Sequence, residues 1–219
     1  MPLPYQPPPH PQQHKATLDP FIFWYLKSVI QTDPHYEHQI YGPFNVYLQG
    51  IFPPWRRFAV IPQALIRPVV PAEQIDDDLA NVSIGSTGGF HKSRKIRGPE
   101  INKSYPDFLV VRVKTLPSGA RKYHIVSVVE IKVDDTPVPS ITNINEQMMR
   151  YMRRLADLPH RSRNLIGYLV CKNLVIPYRI SHPNGERTIV QLPAFNMFAP
   201  GDPFTNRLCA EAVQNWNEI

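Results

Sequence analysis

Two cysteines in 219 residues leave nothing from which to build a disulfide framework, and zinc would need more ligands at closer spacing than Cys171 and Cys209 offer. Cys171 sits in an apolar run and Cys209 in a predicted helix, the pattern of two buried thiols in a reducing compartment, so an intracellular location, cytoplasmic or nuclear, is expected. Nor does any apolar run approach the roughly twenty residues of a membrane span. The longest near the N-terminus, Phe21-Ile-Phe-Trp-Tyr-Leu26, stops at Lys27, and no membrane partner is expected. The opening residues lack a basic segment followed by an apolar one, so no secretory signal is expected either. No internal repeat is present. Long uninterrupted helices are scarce for a different reason: the chain has 25 prolines, about twice the average share of ~5%. Each interior proline removes a backbone donor and clashes with the preceding turn, which argues against coiled coils and helical solenoids.

What is there suits one globular domain. Apolar residues make up 42% of the chain, enough for a sizeable core. The formal charge of +6 favours polyanionic partners such as nucleic acid. Six of the prolines fall in the first eleven residues, and residues 1–16, rich in Pro, Gln and His, read as a disordered or polyproline tail before a single domain over 17–219.

Asp19-Pro20 supplies an N-cap and a proline at the first helical position, opening a hydrophobic helix to about Thr32, and the same signal recurs at Asp33-Pro34 and Asp202-Pro203. Tyr41, Phe44, Tyr47, Leu48, Ile51 and Phe52 keep helical spacing within 34–52, with Gly42-Pro43 as the place where that helix would break. Residues 57–67 read as a strand, Pro62 placing it at an edge or a bulge. From 72 to 105 the composition turns polar, with the basic run Lys92-Ser-Arg-Lys-Ile-Arg97, and predicts a long surface loop. Phe108-Leu-Val-Val-Arg-Val113 and residues 123–133 flank Pro117-Ser-Gly119 and form a β-hairpin. Ile144, Met148, Tyr151, Met152 and Leu155 mark an amphipathic helix over 142–157. Leu165–Cys171 is a strand buried on both faces, a further strand runs from Leu174 to Ile180, and a helix from Pro203 to about Asn217 follows.

The chemistry concentrates in the hairpin. Strand side chains alternate, so Glu130 and Lys132 share one side while Val129, Ile131 and Val133 pack on the other. If the hairpin is symmetric about Ser118-Gly119, Asp107 lies opposite Glu130, where Cβ atoms stand about 4.5–5.5 Å apart. Two carboxylates so close require a cation between them, and magnesium, an oxygen-seeking divalent ion, meets that need. A three-residue turn would shift the register by one and put the two carboxylates on opposite faces unless a bulge restores them. The plainer alternative makes Glu130 and Lys132 an ordinary pair on the solvent face of an edge strand.

Pro106-Asp107, followed by Glu130-Ile131-Lys132, resembles the signature of the PD-(D/E)XK nuclease superfamily, and Gln147-Met-Met-Arg-Tyr151 is similar to the QxxxY box of its RecB-like branch. The predicted order, helix 34–52, strands 57–67, 107–114 and 123–133, helix 142–157 and strand 165–171, matches that family's core. Glu37, followed by Tyr41-Gly-Pro-Phe-Asn45 and the strand with Pro62-Gln63, resembles the first-helix acid and next strand of uncharacterised fungal members. The resemblance covers about residues 34–180. It implies an α/β fold of restriction-endonuclease-like αβββαβ type, a mixed sheet flanked by helices with helical additions at both ends. It also implies a metal-dependent deoxyribonuclease. Asp107, Glu130 and the Ile131 carbonyl would hold Mg²⁺ (or Mn²⁺), with Glu37 a further candidate ligand. Lys132 would orient and help deprotonate the attacking water, and Gln147, on one helical face with Tyr151, would position the lysine or the phosphate.

DNA is the expected partner, with RNA as the alternative. Candidate phosphate contacts are Lys92, Arg94, Lys95 and Arg97 in the loop and Arg150 and Arg154 on the helix. For these the competing readings are an exposed basic loop and a solvated helix face. For Gln147 and Tyr151 the competing reading is helix amphipathicity alone. For the whole chain it is a catalytically silent relative that binds nucleic acid or protein.

Overall fold

A computed structural model describes residues 7–66, 82–83, 106–115, 121–133, 138–182 and 186–216. In chain order the elements are helices α1 (Pro11–Ala16), α2 (Pro20–Gln31) and α3 (His38–Ile51), a 3₁₀ turn at Pro54–Arg56, and strands β1 (Phe58–Pro62), β2 (Leu65–Ile66) and β3 (Val82–Ser83). Strands β4 (Phe108–Thr115) and β5 (Arg121–Lys132) follow, then helix α4 (Val138–Asp157) and strands β6 (Arg161–Cys171), β7 (Leu174–Ser181), β8 (Thr188–Gln191) and β9 (Phe195–Asn196). Helix α5 (Pro203–Gln214) comes last.

The fold is mixed α/β, built on a seven-stranded sheet in the order β1-β4-β5-β6-β7-β8, with β9 also on β7. Among the described residues only β5 and β6 run parallel, and α4 makes the crossover that such a pair requires. Alternating side chains divide the interior into two layers. Phe108, Val110, Val129, Ile131, Tyr168 and Val170 face α2, α3 and α5, whereas Leu109, Val111, Val128 and Leu169 face α4. Gly167 of β6 lets α4 lie close on the sheet: a Cβ there would stand 2.3 Å from Met148 Cε and 2.6 Å from Met152 Sδ.

Several sequence expectations need correction. Residues 11–16 are not part of a disordered tail but form α1, capped by the reciprocal His10 and Gln13 bonds. The buried His14 ring lies 2.8 Å from the Ile51 carbonyl oxygen and packs edge-on against Trp216, which docks α1 on the body of the protein. Helix α3 runs through Gly42-Pro43 unbroken, because burial of Ile40, Phe44, Tyr47, Leu48 and Ile51 offsets the missing proline donor. Asp19 caps α2 as expected, through Phe21 N–H at 2.9 Å. Asp33-Pro34, by contrast, starts no helix: Asp33 adopts a left-handed φ of 54° and pairs with Lys172. The strand expected over 57–67 divides at Gln63 into β1 and β2, and Pro62 does stand on a sheet edge. Helix α4 begins earlier than expected, at Val138, with Pro139 in the first turn where its absent N–H is not needed. Of the loop expected over 72–105, Val82 and Ser83 form β3, and the remainder lies outside the described residues.

Register follows the shifted alternative, with a bulge. Next to the turn, Thr115 pairs with Arg121 and Val113 with Tyr123, which is the shifted alignment of an odd-length connection. Between Val110 and Val111 the pairing slips by one, so that Phe108 opposes Val129 and Leu109 opposes Val128. Val126 is the extra residue of this bulge, buried in the core. The bulge returns Asp107 to the face of Glu130.

Candidate active site

Glu130 lies on an interior strand with its side chain only 2% exposed, which excludes the edge-strand reading. One Glu130 oxygen accepts from the backbone N–H of Asp107 at 3.3 Å, and the other from Gln147 Nε2 at 2.8 Å and Lys132 Nζ at 3.0 Å. Asp107 sits just before β4. Its Oδ2 accepts from Ile131 N–H at 2.6 Å, beyond the last β4–β5 pair, and its Oδ1 accepts from the Tyr41 hydroxyl at 2.5 Å. Lys132 also reaches Glu37 Oε1 at 3.0 Å, and Tyr41 approaches Glu37 Oε2 at 3.3 Å. From α4, Gln147 Nε2 donates to the buried Tyr151 hydroxyl at 2.6 Å.

The structure thus joins Glu37, Asp107, Glu130, Lys132, Gln147 and Tyr151 in one network drawn from α3, the start of β4, β5 and α4. Ile131 takes part through its backbone N–H, with its side chain in the core on the other face of the sheet. Arg150 is exposed and Arg154 half-buried on α4, each one turn past Gln147 and Tyr151 respectively. Lys92, Arg94, Lys95 and Arg97 lie outside the described residues. Tyr41 is the site residue that sequence reasoning missed. It reads as one more apolar position of the helix, yet its spacing of four from Glu37 places both on one helical face.

Three carboxylates share one ammonium here. Burial first and the neighbouring Asp107 charge second push the Glu130 carboxyl up to about 7, with Lys132 offsetting them only in part. Burial also raises Asp107, against the bonds from Tyr41 and Ile131. Burial alone would lower Lys132, but the attraction of Glu130 and the bond to Glu37 outweigh it and hold the ammonium charged. Burial and the Glu130 charge push the Tyr151 hydroxyl up to about 12.

Glu130 Oε1 already accepts two hydrogen bonds, while Glu130 Oε2 and both Asp107 oxygens accept one each, and a carboxylate oxygen has room for about two. The residues therefore fit a divalent cation on two counts. Their donors are hard oxygens, which magnesium and manganese prefer. Their formal charge also exceeds that of Lys132 by two when all three are ionised. Among the described residues no cluster of three or more His, Cys, Asp or Glu side chains stands ready in ligand geometry, because Lys132 lies between Glu37 and Glu130. An ion at Asp107 and Glu130 would share those oxygens with the donors they now hold.

Comparison of the chain with protein family models, with curated proteins and with solved structures finds no match.

Proposed function

We propose that the protein is a metal-dependent nuclease of the PD-(D/E)XK type, with a restriction-endonuclease-like core, hydrolysing phosphodiester bonds in DNA. The observation that carries this reading is the convergence of Asp107, Glu130 and Lys132 with a surplus of carboxylate over ammonium. The order α3, β1, β4, β5, α4, β6, with β5 and β6 parallel around α4, agrees with the core that the sequence resemblance implies.

Asp107 and Glu130 would hold Mg²⁺ or Mn²⁺, with the Ile131 carbonyl and Glu37 as further ligands. The bound ion would polarise the scissile phosphate and lower the pKa of a coordinated water. Lys132 has three donors, two of them directed to Glu37 and Glu130, and the third would orient the attacking water or a phosphate oxygen. Gln147, fixed by the Tyr151 hydroxyl, holds Glu130 from the α4 side and keeps that carboxyl aimed at the site.

The test is incubation with labelled single- and double-stranded DNA in Mg²⁺ or Mn²⁺, repeated with Asp107→Ala and Lys132→Ala. Divalent-dependent cleavage by the wild type that disappears in both variants is expected. Cleavage that persists in both would overturn the assignment, and binding without cleavage would point to a silent binding module.

A further inference from the structure

Exposure within the site rises along one line. The side chains of Glu130, Lys132 and Glu37 are 2%, 18% and 35% exposed, so the network opens to solvent at Glu37, where α3 begins. A polymer approaching the Lys132 ammonium from that side meets the residues that flank Glu37. They are both aromatic. The Tyr36 ring lies nearly parallel to the His38 imidazole, 18° between planes and 5.5 Å between centroids, and Tyr36 is 63% exposed. Its backbone is held on both sides, the N–H donating to Gln39 Oε1 at 3.1 Å and the carbonyl accepting from Gln39 N–H at 3.1 Å. Single exposed aromatics are common on protein surfaces. This one carries a second ring and is distinguished by its place, one residue from a carboxylate bound to Lys132.

We propose that Tyr36, backed by His38, is a stacking platform for an unpaired nucleobase of the strand held at Lys132, so that the site takes single-stranded DNA in preference to duplex. The inference rests on the nuclease reading given above. In a duplex both faces of each base are covered by its neighbours, whereas an unpaired base can lay one face on a protein ring. Such stacking tolerates any sequence, because every base has a π face.

The experiment measures the affinity of wild type, Tyr36→Ala and Tyr36→Phe for a fluorescein-labelled single strand and for its duplex. Fluorescence anisotropy is read in EDTA, and cleavage kinetics are then measured in Mg²⁺. Tyr36→Ala should weaken single-strand binding by roughly 5- to 100-fold, leave duplex binding unchanged and raise KM for single strands with little change in kcat. Tyr36→Phe, which keeps the ring, should behave as wild type. Tyr36→Ala binding single strands as tightly as wild type, or losing single strand and duplex equally, overturns the platform. The two readings fail separately. Weakened single-strand binding in a protein that cleaves nothing would keep the platform and overturn the nuclease, while cleavage of both substrates with no effect of Tyr36→Ala would do the reverse.

Discussion

The Tyr41 hydroxyl carries one proton and faces two carboxylates, donating to Asp107 at 2.5 Å with Glu37 at 3.3 Å. A hydrogen bond to a charged group is worth about 1.5–3 kcal/mol, and Asp107 is buried. Tyr41→Phe keeps the ring and its edge-on packing against Phe108 but leaves Asp107 Oδ1 without this donor. We predict a loss of about 1–2 kcal/mol of stability at pH 7 in the metal-free protein, read from urea denaturation; an unchanged midpoint would contradict the role assigned to the hydroxyl. Glu130, Lys132, Gln147 and Tyr151 were legible in the sequence because strand alternation and helical spacing each place a pair on one face. Tyr41 was not, because a tyrosine at core spacing looks the same whether its hydroxyl meets water or a carboxylate. Its function depends on where Asp107 arrives from, 66 residues later.

At the scale of elements, hairpin and helices were legible while register and docking were not. A turn motif predicts that two strands pair, but the meeting of Asp107 with Glu130 depends on the slip at Val126, and nothing distinguishes that valine from its neighbours in a β-rich run. The same holds for α1: the proline-rich composition of the opening residues gives no sign that His14 finds a buried carbonyl. Helix α5 shows a third case. Its Glu211 is buried, and the Tyr168 hydroxyl of β6 donates to it from the face of the sheet opposite α4. Burial pushes that carboxyl up to about 8, against the Tyr168 bond. Because the folded pKa lies above the unfolded value, the native state retains a proton that the unfolded chain releases. Stability therefore falls as pH rises from the ordinary glutamate range towards 8, by at most about 1.4 kcal/mol per pH unit from this group. Glu211→Gln should flatten that slope in denaturation curves taken between pH 5 and 8 (about the window of this titration). An equally steep slope in the variant would assign the dependence to other groups.

The whole molecule combines a basic chain, formally +6, with a side-chain cluster in which carboxylates outnumber ammonium three to one. These charges complement two different ligands. The overall field favours a polyanion, and the cluster favours a small cation. The composition reports the first, but the second arises only when the sheet gathers Asp107 and Glu130 and α3 adds Glu37. Titration calorimetry with Mn²⁺ at pH 7, on wild type and on Asp107→Asn and Glu130→Gln, tests this account most directly. It predicts saturable binding by the wild type that either substitution abolishes. The absence of saturable heat in the wild type, or equal affinity in all three proteins, would contradict it.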